Sequence, residues 1–216
     1  MKKIIALSAL SLAFASSAFA GSSYVTGNVQ FHSDDLHGSD ATSTLEAGHT
    51  FDNSFGGFTV YAEIDGIQLG DLAVEGANGP AYLTVGGEQS FSINDNLWVA
   101  AGYQNVSVTG ETIQYRPLVK IGYNFDNGIA ISNRTRAHID AVGDDKTDYR
   151  MDNRIGYSVN EDLAVSYNNV YMIDAEVMDH ELRATWTRNG VQPYFEYRNQ
   201  ADNENNAFVF GASYGF

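Results

Sequence analysis

The sequence predicts an all-β fold, a twelve-stranded antiparallel transmembrane β-barrel of the bacterial outer membrane. Three observations carry this reading. Apolar and polar residues alternate with period two along most of the chain, as in strands with one greasy and one wet face. Tight turns alternate with longer, acidic or Gly-rich connections. The chain ends on Asn206–Phe216, NAFVFGASYGF, with Phe208, Phe210, Tyr214 and Phe216 on one face and Ala207, Val209, Gly211, Ser213 and Gly215 on the other. Large apolar side chains toward lipid and small ones toward a lumen are the pattern of a closing outer-membrane strand.

Met1–Ala20 reads as a secretory signal. Lys2 and Lys3 precede a short apolar run, and Ala18-Phe19-Ala20 forms a small-residue cleavage site. The run is too short to span a membrane, and no later segment holds eighteen apolar residues in succession. Residues 21–216 are therefore expected to form one barrel domain. Losing Lys2 and Lys3 makes the formal charge, −15 for the full sequence, two units more negative. There is no cysteine, so no disulfide or thiolate chemistry is available.

Twelve alternating stretches follow. Tyr24–Phe31 sets Val25, Val29 and Phe31 against Thr26, Asn28 and Gln30. Ser43–Phe51 sets Leu45, Ala47 and Phe51 against Thr44, Glu46 and Thr50. Gly57–Asp65 sets Phe58, Val60, Ala62 and Ile64 against Thr59, Tyr61, Glu63 and Asp65. Ala81–Phe91 and Leu97–Gln104 continue the alternation. In the second half come Thr112–Phe125, Gly128–His138, Asp148–Val159, Asp162–Ile173, His180–Arg188 and Val191–Arg198, and Asn206–Phe216 closes the set. Hairpin-turn residues follow the even-numbered strands: Asp52-Asn53, Asn94-Asp95, Asp126-Asn127-Gly128, Asn160-Glu161 and Asn189-Gly190. Longer loops mostly follow the odd ones: His32–Ala41, Gly66–Pro80, Ala141–Thr147, Asp174–Asp179 and Gln200–Asn205. Short periplasmic turns, longer outer loops and an even strand count put both termini on the periplasmic side.

The same alternation assigns the lumen. Arg116, Lys120, Arg134, Arg136, Arg150, Arg154, Arg183 and Arg198 point inward, and His138 shares that face. No Lys or Arg occurs between Gly21 and Tyr115, and the inward charges of strands two to four are Glu46, Glu63, Asp65 and Glu88. A basic wall should face an acidic wall. Lys120, Arg134, Arg154 and Arg183 lie about five residues above the short turns and Arg116, Arg136, Arg150 and Arg198 about seven to nine, two rows separated by on the order of 10 Å. A guanidinium fork suits carboxylate, and several moderate sites in series permit both entry and exit. The expected function is passive diffusion of acidic oligosaccharides such as oligogalacturonate or alginate oligomers. Two other roles stay open: the arginines brace the barrel against Asp152, Glu181 and Glu196, or the protein is a general small-solute porin without sugar preference.

Tyr103, Tyr115, Tyr123, Tyr149, Tyr157, Tyr167, Tyr171, Trp186, Tyr197 and Tyr214 are expected as lipid-interface anchors. Tyr61, Tyr82, Trp98 and Tyr194 have inward parity and either stack on sugar rings or narrow the pore. A hydrolase would need a Ser–His pair. Ser132 and His138 share a face but sit on the order of 20 Å apart, and His32, His37, His49 and His180 show no nucleophile partner. No enzyme, metal site, cofactor or nucleic-acid partner is expected. The closing strand should pair with Tyr24–Phe31 across a seam that supplies no lumen cation.

These features resemble the small oligogalacturonate-specific porin family, which includes the sialic-acid-inducible porin. The resemblance rests on YRPLVKIGYNFDNGIAISNRTR (Tyr115–Arg136), TDYRMDNRIGYSV (Thr147–Val159), RNGVQPYFEYRN (Arg188–Asn199) and the final FVFGASYGF. It implies a monomeric twelve-stranded barrel with two arginine tracks, which fall on the two rows above. Outer-membrane lipid, lipopolysaccharide and, through the C-terminal strand, the barrel assembly machinery are the expected partners. From Gly21 to Val106 the likeness is one of pattern only.

Overall fold

The structure is a computed structural model that describes residues 21–34, 39–69, 79–143, 146–188 and 190–216. The signal segment Met1–Ala20 lies outside the described residues, as do Asp35, His37, Asp71, Glu75, Asp144, Asp145 and Asn189. Every alternating stretch becomes a strand: β1 (Gly21–His32), β2 (Ala41–Asn53), β3 (Gly56–Gln68), β4 (Tyr82–Ser92), β5 (Leu97–Val108), β6 (Glu111–Asn124), β7 (Ile129–Asp140), β8 (Thr147–Ser158), β9 (Leu163–Met172), β10 (Val177–Trp186), β11 (Gln192–Gln200) and β12 (Asn205–Gly215). Each strand pairs antiparallel with its chain neighbours, and β12 returns to β1, so the sheet is a closed barrel without edges.

Closure is the physical requirement behind the register. Tyr24 to His32 of β1 pair with Gly215 to Ala207 of β12, and the Ser23 and Phe216 backbones exchange hydrogen bonds at 2.9 and 3.0 Å. With no edge left, strand backbone groups find ladder partners on both sides, apart from irregularities near Thr44, Val106 and Arg116. Outside, aromatic rings stitch the seam: Phe210 lies 5.2 Å from Phe195 and 6.2 Å from Phe31, centroid to centroid. The outer face is apolar and exposed, with Val119 58% and Phe210 54% accessible, while inward Ala207 and Val209 are fully buried. Exposure of this kind is what lipid, rather than water, covers. The aromatic residues expected as anchors all point outward, and most are well exposed.

The loop sorting is narrower than the sequence suggests. One end of the barrel carries the connections 54–55, 93–96, 125–128, 159–162 and 187–191. At the other end 33–40, 69–81 and 141–146 are longer, but 173–176 and 201–204 are as short as the turns opposite. Residues 109–110 form a two-residue hairpin turn with Thr109 at φ 50° and Gly110 at φ 90°. Two successive left-handed residues match the twist of the flanking strands.

A second regularity lies inside. Tyr24, Tyr61, Trp98 and Tyr194 stand directly opposite Gly48, Gly86, Gly122 and Gly211 on the neighbouring strand. A Cβ added at any of these glycines would fall into the facing ring, at 2.7 Å for Gly48 and 2.5 Å for Gly86. The rings therefore lie flat across the glycines, against the barrel wall, as aromatic cover for a bare strand position. Gly211→Ala is expected to lower stability by about 1–3 kcal/mol through overpacking against Tyr194. Gly156→Ala, whose Cβ would have no neighbour nearer than 3.9 Å, should stay within about 0.5 kcal/mol. Urea unfolding midpoints of vesicle-reconstituted protein measure the difference.

Candidate functional site

All eight cations expected inward belong to the inward parity of β6, β7, β8, β10 and β11. The antiparallel register brings them into two groups. On β6–β8, Lys120 faces Arg134, Arg134 faces Asp152, and Arg136 faces Arg150. On β10–β11, Glu181 faces Arg198 and Arg183 faces Glu196. Strand β9 separates the groups with Ser166, Asn168 and Val170. Arg154 stands between them, opposite Ser132 and Asn168, and interacts electrostatically with Arg183, Glu181, Glu196 and Arg134.

Carboxylates hold five of these cations. Asp152 accepts from Arg134 Nε at 2.9 Å and from Arg150 Nη2 at 2.7 Å. Glu196, only 2% exposed, accepts from Arg183 Nε and Arg198 Nε, both at 2.5 Å. Lys120 pairs with Glu88 at 2.5 Å, and Glu181 adds a longer contact to Arg198 at 3.9 Å. Bracing of the wall by Asp152, Glu181 and Glu196 is thus real. It leaves three guanidinium groups whose hydrogen-bond partners among the described residues are neutral: Arg116 donates to Gln114, Arg136 to Gln104 and Arg154 to Ser166. Beside Arg136, His138 is buried, and its Nε2 and Arg136 Nε have no hydrogen-bond partner among the described residues.

The opposite wall is acidic. Glu46 and Glu63 face each other across β2–β3, with Asp65 above and Glu88 on β4. The lumen is narrow enough for the walls to interact: Glu63 with Arg136, Asp65 with Arg116, Glu88 with Arg134 and Glu46 with Lys120. The seam is less bare than expected. No lysine or arginine arises from β1 or β12, yet Arg198 Nη1 reaches across β12 to Gln30 Oε1 on β1 at 3.1 Å.

Several lumen residues escape a reading by charge alone. Gln104 ties the walls together, accepting from Arg136 Nη1 at 2.9 Å and donating to Tyr61 Oη at 2.7 Å. Tyr24 points inward and donates to Glu46 at 2.7 Å. Both lie on the inward parity of their strands, which is the signal that locates them. Of the four inward aromatics expected, Tyr194 is covered by the Arg183 guanidinium 4.1 Å from its ring centroid. Tyr82, next to the 69–81 loop, is 48% exposed. One further expectation is corrected: His49 does have a serine partner, since Nδ1 lies 2.8 Å from Ser23 Oγ. The two are direct cross-strand neighbours on β1 and β2, on the outward face. No carboxylate contacts this histidine among the described residues, so the pair lacks the orienting acid of a triad.

A protein family described as "Oligogalacturonate-specific porin protein (KdgM)" matches residues 28–209. Among solved structures, a KdgM porin in complex with disordered oligogalacturonate superposes with a TM-score of 0.71 at 16% identity, covering 89% of this chain and 99% of that one. A second KdgM porin structure gives 0.69 at 15% identity with coverage of 89% and 99%. The NanC porin gives 0.66 at 15% identity with coverage of 88% and 98%. At these identities the superpositions show a shared fold. No curated protein matches the sequence.

Glu196→Gln is expected to lower stability by about 3 kcal/mol, because two buried guanidinium groups lose their shared carboxylate. The same change should raise the anion preference of the lumen. Unfolding midpoints and reversal potentials across a salt gradient measure the two effects.

Proposed function

The chain belongs to the oligogalacturonate-specific porin family, and from that membership we propose that it passes acidic oligosaccharides by passive diffusion along the lumen cations. The family and the fold support an outer-membrane channel rather than an enzyme. The path we infer runs over Arg116, Lys120, Arg134, Arg136, Arg150, Arg154, Arg183 and Arg198, arranged as two rows at different heights. Oligogalacturonate or another oligouronate such as alginate oligomers is the substrate class. Met1–Ala20 serves as the export signal, both termini are periplasmic, and the barrel works as a monomer.

The observation that supports this most is the surplus on the basic wall. Arg116, Arg136 and Arg154 make their side-chain hydrogen bonds to amide or hydroxyl groups among the described residues, and acids act on them only from a distance. A guanidinium so placed keeps unused donors in a fork that fits a carboxylate. Spacing such groups along a wall gives weak sites in series, which favours passage over trapping. The bound oligogalacturonate of one KdgM porin structure is consistent with this chemistry.

The second reading is a general small-solute porin. It draws support from Glu46, Glu63, Asp65 and Glu88, which offset much of the positive charge. The double variant Arg134→Gln/Arg154→Gln separates the two. A sugar-specific path predicts a fall of tenfold or more in oligouronate uptake, about 1.4 kcal/mol or more of lost interaction, with neutral-sugar uptake unchanged. Equal effects on both sugars favour the general porin. Planar-bilayer recordings on the parent protein should show anion-selective current that oligouronates block, less strongly as salt rises. Cation selectivity with indifference to uronates overturns the proposal.

A further inference from the structure

We propose that Tyr61 and Trp98 are stacking platforms for the pyranose rings of a passing oligosaccharide. The inference rests on the reading of the lumen as a saccharide path. It names a contact that the charges do not provide, one made to the apolar face of a sugar ring.

Two of the four rings that lie over glycines are already occupied. Tyr194 is 7% exposed beneath Arg183, and Tyr24 is 8% exposed with its hydroxyl on Glu46. Tyr61 and Trp98 are only half-buried. Among the described residues, no ring or cation lies over either of them. Glycine on the neighbouring strand lets each ring lie down, so the opposite face is turned to the lumen. A ring that merely narrowed the channel would stand upright and need no glycine beside it.

The register links each platform to arginine. One line of directly opposed residues runs Tyr24, Gly48, Tyr61, Gly86, Gln104, Arg116 across β1 to β6. A second runs Trp98, Gly122, Ser132, Arg154 across β5 to β8. Each line places a flat aromatic face on one arc of the lumen and, on the next, an arginine whose hydrogen bonds among the described residues go to neutral groups. A uronate residue has both halves of the complement: C–H groups on its ring face and a carboxylate at its edge. Tyr61 is also held in place by Gln104, the same side chain that holds Arg136.

The protein has two tryptophans, and Trp186 faces lipid, so Trp186→Phe leaves Trp98 as the sole reporter. In detergent-solubilised Trp186→Phe protein, a galacturonate trimer and the neutral galactose trimer should each shift Trp98 emission saturably, the acidic one at lower concentration. In bilayers, Trp98→Leu and Tyr61→Leu should each weaken block by the acidic trimer about three- to tenfold. A shift with the neutral trimer alone upholds stacking and overturns the uronate path. No shift with either trimer overturns stacking, while block by the acidic trimer would leave the uronate path standing. A shift with the acidic trimer alone supports stacking if Trp98→Leu weakens block by that factor and overturns it if block is unchanged. The emission measurement leaves the platform itself unaltered, so a shift with the neutral trimer, or none with either trimer, decides for Trp98 even if a leucine variant does not fold. For a shift with the acidic trimer alone, Trp98→Phe replaces a leucine variant that does not fold, with weakened block supporting stacking and unchanged block overturning it.

Discussion

A sheet surrounded by hydrocarbon has nothing but itself to satisfy its backbone N–H and C=O groups, so it must close. That constraint sets the rest of this structure. It makes β12 return to β1, and it brings the two ends of the described barrel together at Ser23 and Phe216. It also fixes the meaning of parity. One face of every strand must be apolar because it meets lipid, and the other becomes the only place where charge is tolerated. Buried glutamate and arginine, rare in a soluble core, are here the expected lining.

Collecting charge inside a narrow lumen creates a second problem, because like charges crowd one another on neighbouring strands. Arg136 and Arg150 face each other directly. The solution is carboxylates that each serve two guanidinium groups, Asp152 for Arg134 and Arg150, Glu196 for Arg183 and Arg198. These shared acids fix side chains in place without neutralising the wall. The same economy explains why the bracing and transport readings of the arginines are not exclusive. The braced residues set the wall's geometry, and Arg116, Arg136 and Arg154 keep donors to spare.

Period-two alternation was enough to read all twelve strands and the inward side of every lumen cation, because lipid contact penalises a slipped register at every residue. What it did not reveal are the facts that depend on which residue sits opposite which. Ser23 meets His49, and Lys120 finds Glu88, through pairings between strands that one strand's pattern does not specify. The aromatic residues over glycine belong to the same class. Tyr61 and Trp98 were legible as inward, but whether they stand or lie depends on Gly86 and Gly122 in the next strand. Gln104 escaped because it carries no charge. Loop lengths misled in part, since Asp174–Asp179 and Gln200–Asn205 contain strand ends that extend β10, β11 and β12 and shorten the connections.

The acidic wall is the feature that a simple anion path does not require, and its position suggests what it does. Cations occupy β6 to β11, while Glu46, Glu63, Asp65 and Glu88 occupy β2 to β4. Opposed walls of opposite sign produce a field across the lumen rather than along it. A uniformly basic lumen would attract any anion and hold it from all sides. If the lumen passes oligouronates as proposed, a transverse field would draw carboxylates to one arc and leave the other to groups that donate hydrogen bonds, such as sugar hydroxyls. For a chain with carboxylates on one edge and hydroxyls on the other, that arrangement favours one orientation. Because the acidic side attracts no anion, it also limits how tightly the chain is held. Selective orientation with moderate affinity is what a passive channel needs, since a site that binds too well stops conducting.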